Sequence, residues 1–108
     1  MNRLRELTPA QVHAHLREGT AILVDVREAD EHAAERIAGA RHAPLSSFDP
    51  RSLPQGEGKP VILHCAGGKR SATAIERCLA AGIPVDSHLA GGLAAWKAAG
   101  LPVQRGGV

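Results

Sequence analysis

The sequence has few aromatic residues, few cysteines and no long apolar run, and each shortage excludes a class of protein. Phe48 and Trp96 are the only phenylalanine, tyrosine or tryptophan residues among 108, whereas a surface that stacks single-stranded nucleic acid needs several. No run of eighteen apolar residues is present, so we expect no membrane contact. Two cysteines make no disulfide framework. Without a secretory segment at the start, these shortages predict a cytoplasmic protein.

The charge is small and dispersed along the chain. The formal net charge is +2, with 13 basic and 11 acidic residues, and no run of five basic residues occurs. A nucleic-acid partner is therefore not expected, while small anionic substrates are compatible with this charge. At 44% hydrophobic residues the chain can build one core, which predicts a single domain over residues 1–108.

Short apolar runs alternate with helical patterns, an order typical of a parallel α/β domain. Strands are predicted in four segments, residues 21–26, 40–43, 60–65 and 84–89. Helices are predicted in four others, residues 7–19, 28–37, 70–82 and 91–100. We therefore predict an α/β fold with a central parallel sheet of about five strands, flanked by helices on both faces.

The first predicted helix has signals at both ends. Thr8 can cap its start, Pro9 suits the first helical position, and Gln11 completes a capping box. Gly19 then supplies a residue that ends the helix.

The stretch LHCAGGKRS, residues 63–71, raises the question of chemistry. It puts Cys65 at the end of a predicted strand, followed by two glycines, two basic residues and a helix start. The backbone N–H groups of such a turn, with those of the first helical turn, converge and favour an anion. They are expected to lower the pKa of Cys65 and make it a nucleophile. A buried, inert cysteine is the alternative.

Spacing separates this loop from two phosphate-binding loops. A nucleotide-binding P-loop needs G-x-x-x-x-G-K-[ST], but the glycine spacing differs and Arg70 separates Lys69 from Ser71. Cysteine-dependent phosphatases have five residues between their cysteine and arginine, whereas four separate Cys65 from Arg70. The shorter ring surrounds a tetrahedral phosphate less well, yet it can hold one extra sulfur atom on Cys65.

The chain resembles the rhodanese-like sulfurtransferases over roughly residues 8–103. Its loop matches the C-x-x-G-x-R-S pattern of many single-domain members at Cys65, Gly68, Arg70 and Ser71. The stretches LVDVREADEH, RIAGARHAPL and LAGGLAAWKAAGLPV look like further segments of that family. The second stretch departs from the family pattern, which has Gly-His-Ile-Pro-Gly-Ala where this chain has Glu-Arg-Ile-Ala-Gly-Ala, so altered local packing is expected there.

The resemblance implies sulfur transfer through a Cys65 persulfide. The donor would be thiosulfate or a persulfide such as glutathione persulfide, the acceptor cyanide or a thiol, and a protein can be the sulfur donor or carrier. Cys65 and Arg70 are the implied catalytic residues, with no metal and no other cofactor. The implied substrate-binding residues are Ala66, Gly67, Gly68, Lys69, Ser71 and Arg27. Two alternatives remain: a regulatory or carrier-binding module, and a cysteine phosphatase or arsenate reductase.

Three other residues have more than one interpretation. Asp25 and Arg27 follow a predicted strand at its carboxyl end, where ligands bind in parallel sheets. They can line the pocket, or Asp25 can cap a helix while Arg27 pairs with a carboxylate. Cys78 lies eight residues beyond Arg70 on a predicted helix, about 12 Å away. A disulfide with Cys65 is therefore excluded, and Cys78 is expected in the core.

Overall fold

The computed structural model describes residues 4–54 and 57–106. The strands are β1 (Arg5–Leu7), β2 (Ile22–Asp25), β3 (Glu35–Arg36), β4 (Arg41–His42), β5 (Val61–His64), β6 (Ser87–Leu89) and β7 (Gln104–Arg105). The helices are α1 (Pro9–Glu18), α2 (Ala29–Ala34), α3 (Lys69–Ala80) and α4 (Gly92–Ala98), and two short 3-10 turns occupy Leu45–Ser47 and Pro50–Ser52.

Five strands form one parallel sheet in the order β1-β6-β5-β2-β4. Every residue of β2, β5 and β6 is buried, as expected of parallel strands covered on both faces. The register places Asp25 beside His64, and it places His88 between Leu63 and Glu6. Polar side chains therefore meet near the carboxyl edge of the sheet.

Alternation along the strands gives the sheet two apolar faces. On one face Leu63 packs in a cluster with Ile75 of α3. On the other face Ile62 packs in a cluster with Val12 of α1 and Trp96 of α4. Burying each of these large side chains contributes about 1.5–3 kcal/mol. The parallel α/β sheet of five strands is thus confirmed, with helices against both of its faces.

Helix α1 begins and ends where the sequence predicts. The Thr8 hydroxyl accepts from the Gln11 N–H at 3.1 Å, and the Gln11 side chain accepts from the Thr8 N–H at 2.8 Å. Gly19 follows the helix in the left-handed region, with φ of 68°. The capping box and the glycine stop are both confirmed.

The helix predicted over residues 28–37 is too long. It ends at Ala34, because Glu35 and Arg36 pair with β7 in a small antiparallel sheet. The Glu35 carboxylate also accepts from Lys97 at 2.9 Å and from Arg105 at 3.0 Å. Partners distant in the chain override the local helical composition in this segment, where the sequence departs from the family pattern.

Strand β1 was not predicted from the sequence. It has only three residues, two of them charged and exposed, and it forms because β6 offers an edge for pairing. In the described part of the chain, helix length and composition leave no candidate for a membrane span.

Candidate active site

The candidate site is the loop that joins β5 to α3. Cys65 follows β5, and its sulfur accepts hydrogen bonds from the backbone N–H of Gly68 at 3.0 Å and of Ser71 at 3.3 Å. Gly68 is the N-cap of α3 and has φ of 105°, a conformation that favours glycine. The loop and the first turn of the helix thus direct their N–H groups at one buried sulfur atom.

This arrangement favours the thiolate of Cys65. Burial raises the pKa of the Cys65 thiol, but hydrogen bonds from the Ser71 hydroxyl and from the N–H groups of Ser71, Gly68 and Gly67 outweigh it. The net pKa lies below the ordinary value of a cysteine, in the direction predicted from the sequence. The cause is hydrogen bonding to the charged form.

The N-terminus of α4 holds the loop from the other side. The Leu93 N–H donates to the Cys65 carbonyl at 2.8 Å, and the Ala94 N–H donates to the Ala66 carbonyl at 3.0 Å. Gly92, the second glycine of the LAGGLAAW stretch, allows the loop to approach closely. A Cβ at this position would lie 2.5 Å from the Cys65 carbonyl oxygen. The glycine pair of the LAGGLAAW stretch is therefore part of the site's construction, a role that sequence reasoning missed.

Arg70 forms an ion pair with Glu31 of α2. The guanidinium donates to both carboxylate oxygens, at 2.6 and 2.9 Å, with each side chain about one-third exposed. The Arg70 hydrogen bond outweighs burial and lowers the pKa of Glu31 to about 2. In sequence Glu31 was only one acidic residue of a helix, and nothing there indicated its contact with the loop.

Lys69 differs from Arg70 in having no ion-pair partner among the described residues. Its side chain is exposed, and across residues 4–54 and 57–106 its ammonium group has neither a hydrogen-bond nor an ion-pair acceptor. Lys69 is therefore an unneutralised cation at the start of α3, and its contact with an anionic donor stays a prediction.

Arg27 lies in a buried ion pair rather than at the loop. Its guanidinium donates to Asp25 at 2.8 to 3.2 Å and also to the Glu35 carbonyl. Of the two interpretations of Arg27, the geometry supports pairing with a carboxylate and gives no support to substrate contact. Asp25 does not cap α2 either, because the N-cap of that helix is Glu28.

Asp25 is the centre of a buried polar cluster. Besides the contact with Arg27, its Oδ2 lies 2.8 Å from His32 Nδ1, and its Oδ1 lies 3.8 Å from His64 Nε2. Burial raises the pKa of Asp25, but Arg27, His64 and His32 together bring it to about 2. His64 Nε2 is buried without a hydrogen-bond partner in the described residues. Burial lowers the pKa of His64 despite the opposing charge of Asp25, which favours the neutral imidazole.

The second cysteine and the histidines form no further reactive or metal site among the described residues. Cys78 is fully buried on α3, and burial raises its pKa to about 11, so it stays a protonated thiol of the core, as predicted. Among the residues described, no group of three or more His, Cys, Asp or Glu side chains is placed to hold a metal.

A further contact of Cys65 leads through Ser71 to two residues that the sequence did not single out, His88 and Glu6. The Ser71 hydroxyl lies 3.6 Å from the Cys65 sulfur and 2.7 Å from His88 Nδ1. His88 Nε2 lies 3.3 Å from a carboxylate oxygen of Glu6. Only the pairing of β1 with β6 brings Glu6 to this place.

A parallel sheet with a cysteine loop at its carboxyl edge defines a class of α/β domain whose cysteine is activated by backbone amides. The family model described as the rhodanese-like domain matches residues 8–99. The chain therefore belongs to the rhodanese-like family.

Relatives differ in how much is known of them. An uncharacterised protein of Synechocystis sp. is 43% identical over 96 residues, which are 89% of this chain and 54% of that protein. The chain thus spans about half the length of that relative. The thiosulfate sulfurtransferase GlpE of Coxiella burnetii is 30% identical over 77 residues, 71% of this chain and 72% of that protein.

A solved structure from Rhodopseudomonas palustris, described as a protein of unknown function and possible tyrosine phosphatase, is similar to this fold. Its TM-score is 0.78 at 27% identity, covering 94% of this chain and 85% of that one.

Proposed function

We propose that the protein is a sulfurtransferase that carries a sulfane sulfur on Cys65. The donor is thiosulfate or a persulfide such as glutathione persulfide, and the acceptor is cyanide or a thiol. The observation that carries this proposal is the set of N–H groups that converge on the Cys65 sulfur from Gly68 and Ser71. Membership of the rhodanese-like family and the similarity to a thiosulfate sulfurtransferase support it.

The reaction has two displacement steps at sulfur. In the first, the Cys65 thiolate attacks the outer sulfur of the donor. With thiosulfate, the sulfur–sulfur bond breaks and sulfite leaves with its electron pair. In the second, the acceptor anion attacks the outer sulfur of the persulfide, that bond breaks, and the Cys65 thiolate is restored. The lowered pKa of Cys65 favours its thiolate, and attack by a thiolate needs no general base during that step.

Backbone N–H groups are suited to stabilise the persulfide. Its terminal sulfur carries negative charge, and preorganised donors stabilise such charge without rearrangement. The N–H groups of Lys69 and Arg70 lie in the first turn of α3 and have no acceptor in the part of the chain that the structure describes. The Lys69 ammonium is a further partner for an anionic donor or leaving group.

Mass spectrometry of the intact protein tests the proposal. After exposure to thiosulfate or, separately, glutathione persulfide, we expect a gain of one sulfur that disappears on addition of cyanide. Cys65→Ser should gain none, and Cys78→Ala should behave as the wild type because burial raises the pKa of Cys78 to about 11. Equal sulfur uptake by the Cys65→Ser protein would overturn the mechanism.

The same preparations test the two alternatives. Only four residues separate Cys65 from Arg70, one fewer than in cysteine phosphatases, so the loop surrounds a tetrahedral phosphate less well. We therefore expect no hydrolysis of p-nitrophenyl phosphate. Hydrolysis that depends on Cys65, without sulfur uptake, would favour the phosphatase. Absence of both reactions would favour the regulatory or carrier-binding module.

A further inference from the structure

Three side chains lead from Cys65 to the protein surface. The Cys65 sulfur lies 3.6 Å from Ser71 Oγ, which lies 2.7 Å from His88 Nδ1. His88 Nε2 in turn lies 3.3 Å from Glu6 Oε2. Cys65, Ser71 and His88 are buried, whereas the Glu6 side chain is 63% exposed. A buried line of exchangeable protons thus ends at a carboxylate in contact with solvent.

The sheet register builds this line. Glu6 and His88 are directly paired on β1 and β6, so their side chains project from the same face. Leu63, the partner of His88 on β5, packs in the cluster that includes α3. Ser71 lies in the first turn of α3, above that face.

The chemistry of the partners assigns the protons. A carboxylate only accepts hydrogen bonds, so His88 Nε2 carries a proton and donates to Glu6. In the neutral imidazole Nδ1 is then an acceptor for the Ser71 hydroxyl. The hydroxyl oxygen keeps lone pairs that can accept the Cys65 thiol proton. The Gly68 carbonyl, at 3.2 Å from Ser71 Oγ, is a more distant acceptor.

We propose that His88 is a positioning residue for the nucleophile, taking up through Ser71 the proton that Cys65 releases, with Glu6 holding the imidazolium. The sulfur–hydrogen bond breaks as the thiol proton passes to Ser71 Oγ, and the original Ser71 proton passes to His88 Nδ1. The result is a thiolate, an intact serine and an imidazolium, with no change in oxidation state. This step rests on the proposed function, which needs Cys65 as a thiolate.

Competition for one proton explains why the histidine matters. When Cys65 is a thiolate, its sulfur and a neutral His88 Nδ1 both require the single hydroxyl proton of Ser71. A protonated His88 instead donates to Ser71 Oγ, which frees the hydroxyl to donate to the thiolate. The thiolate and the imidazolium therefore stabilise each other through the serine.

Other charges around this line have different partners. Arg70 is paired with Glu31, Lys69 is exposed, and His64 lies toward Asp25. In residues 4–54 and 57–106, the Glu6 carboxylate is the only ionisable side chain that forms a direct polar contact with His88, while Cys65 reaches it through Ser71.

Alkylation of Cys65 by iodoacetamide, followed against pH, tests the proposal without any sulfur donor. In His88→Asn the amide can still bond to Ser71 but takes no proton. We expect its alkylation rate near neutral pH to fall about tenfold, as for a thiol pKa one unit higher. His15→Asn is the matched control, because His15, on α1 at the other sheet face, also has its Nδ1 2.7 Å from a hydroxyl, that of Thr20. An unchanged pH profile in folded His88→Asn would overturn the relay.

Nitrogen-15 NMR of the wild-type imidazoles provides a readout that does not depend on a variant's folding. We expect the His88 signals to move toward those of a neutral imidazole once Cys65 is alkylated, because the thiolate that stabilises the imidazolium is then lost. A neutral His88 in both samples would contradict the proposal. Failure of the proposed function is separate: it appears as absent sulfur uptake, whatever the alkylation profile shows.

Discussion

Glu31 and Arg70 form an ion pair next to the Cys65 loop, with Glu31 Oε1 and Arg70 Nη1 2.6 Å apart. The pair joins α2 to the first turn of α3 and neutralises one of the two basic side chains beside the sulfur. Lys69 remains as the exposed cation. The pairing therefore bears on which donors the site attracts.

Glu31→Gln should accelerate persulfide formation from thiosulfate at low salt. One unneutralised positive charge about 6 Å from a donor anion is worth about 0.7 kcal/mol in water, or about threefold in rate. The rate of persulfide formation is measured by adding cyanide at successive times and detecting the thiocyanate that forms. The gain should shrink as salt is added, because salt screens exposed charges. Glu76→Gln, on the exposed side of α3, is the control; an equal gain there, or one unaffected by salt, would contradict the prediction.

Gly92→Ala should distort the Cys65 loop. The new Cβ would lie 2.5 Å from the Cys65 carbonyl oxygen, and the left-handed backbone adds a cost of about 1–2 kcal/mol. Gly100→Ala is a matched control, since that glycine is also left-handed but has open space around it. Both variants should lose stability in urea, and only Gly92→Ala should also lose most alkylation of Cys65. Equal alkylation of the two would show that the loop does not depend on Gly92.

Asp25→Asn should strongly destabilise the fold. It leaves the buried Arg27 guanidinium without its counter-charge, which costs about 3–5 kcal/mol in the free energy of unfolding. Because the pKa of Asp25 is lowered to about 2, its contribution is present above the ordinary carboxyl range and is lost as pH falls through about 2. Urea unfolding near neutral pH measures the change. Glu57→Gln, which breaks the exposed pair with Arg41, should change it far less; similar losses would mean that burial of the Asp25 pair is unimportant.

His64 should make the protein less stable in mild acid. Burial lowers the pKa of His64 in the folded chain, whereas in the unfolded chain it takes a proton near its ordinary value of about 6.5. Stability is therefore full above that value and falls as pH decreases below it. The melting temperature should drop from about pH 7.5 to about pH 5.5, and His64→Leu should reduce that drop. His15→Asn should keep it; a drop undiminished in His64→Leu would assign the acid sensitivity to another group.

Local signals explain which parts of the fold were predictable. The caps of α1 depend on Thr8, Gln11 and Gly19, which act within a few residues, and the apolar runs of β2 and β5 predict buried strands by themselves. By contrast, β1, β3 and β7 have only two or three residues each, and most of those residues are charged. Such strands form only because a distant partner supplies hydrogen bonds.

The candidate site divides in the same way. The sequence by itself determined that Cys65 lies in an amide-lined loop, because strand, glycines and helix start are contiguous around it. Only the tertiary structure decided which charges surround it: Arg70 is neutralised by Glu31, Arg27 is committed to Asp25, and His88 is placed between Ser71 and Glu6. Except for Asp25 and Arg27, which are two residues apart, these partners lie far apart in the chain, and no local pattern specifies a contact that chain packing alone creates.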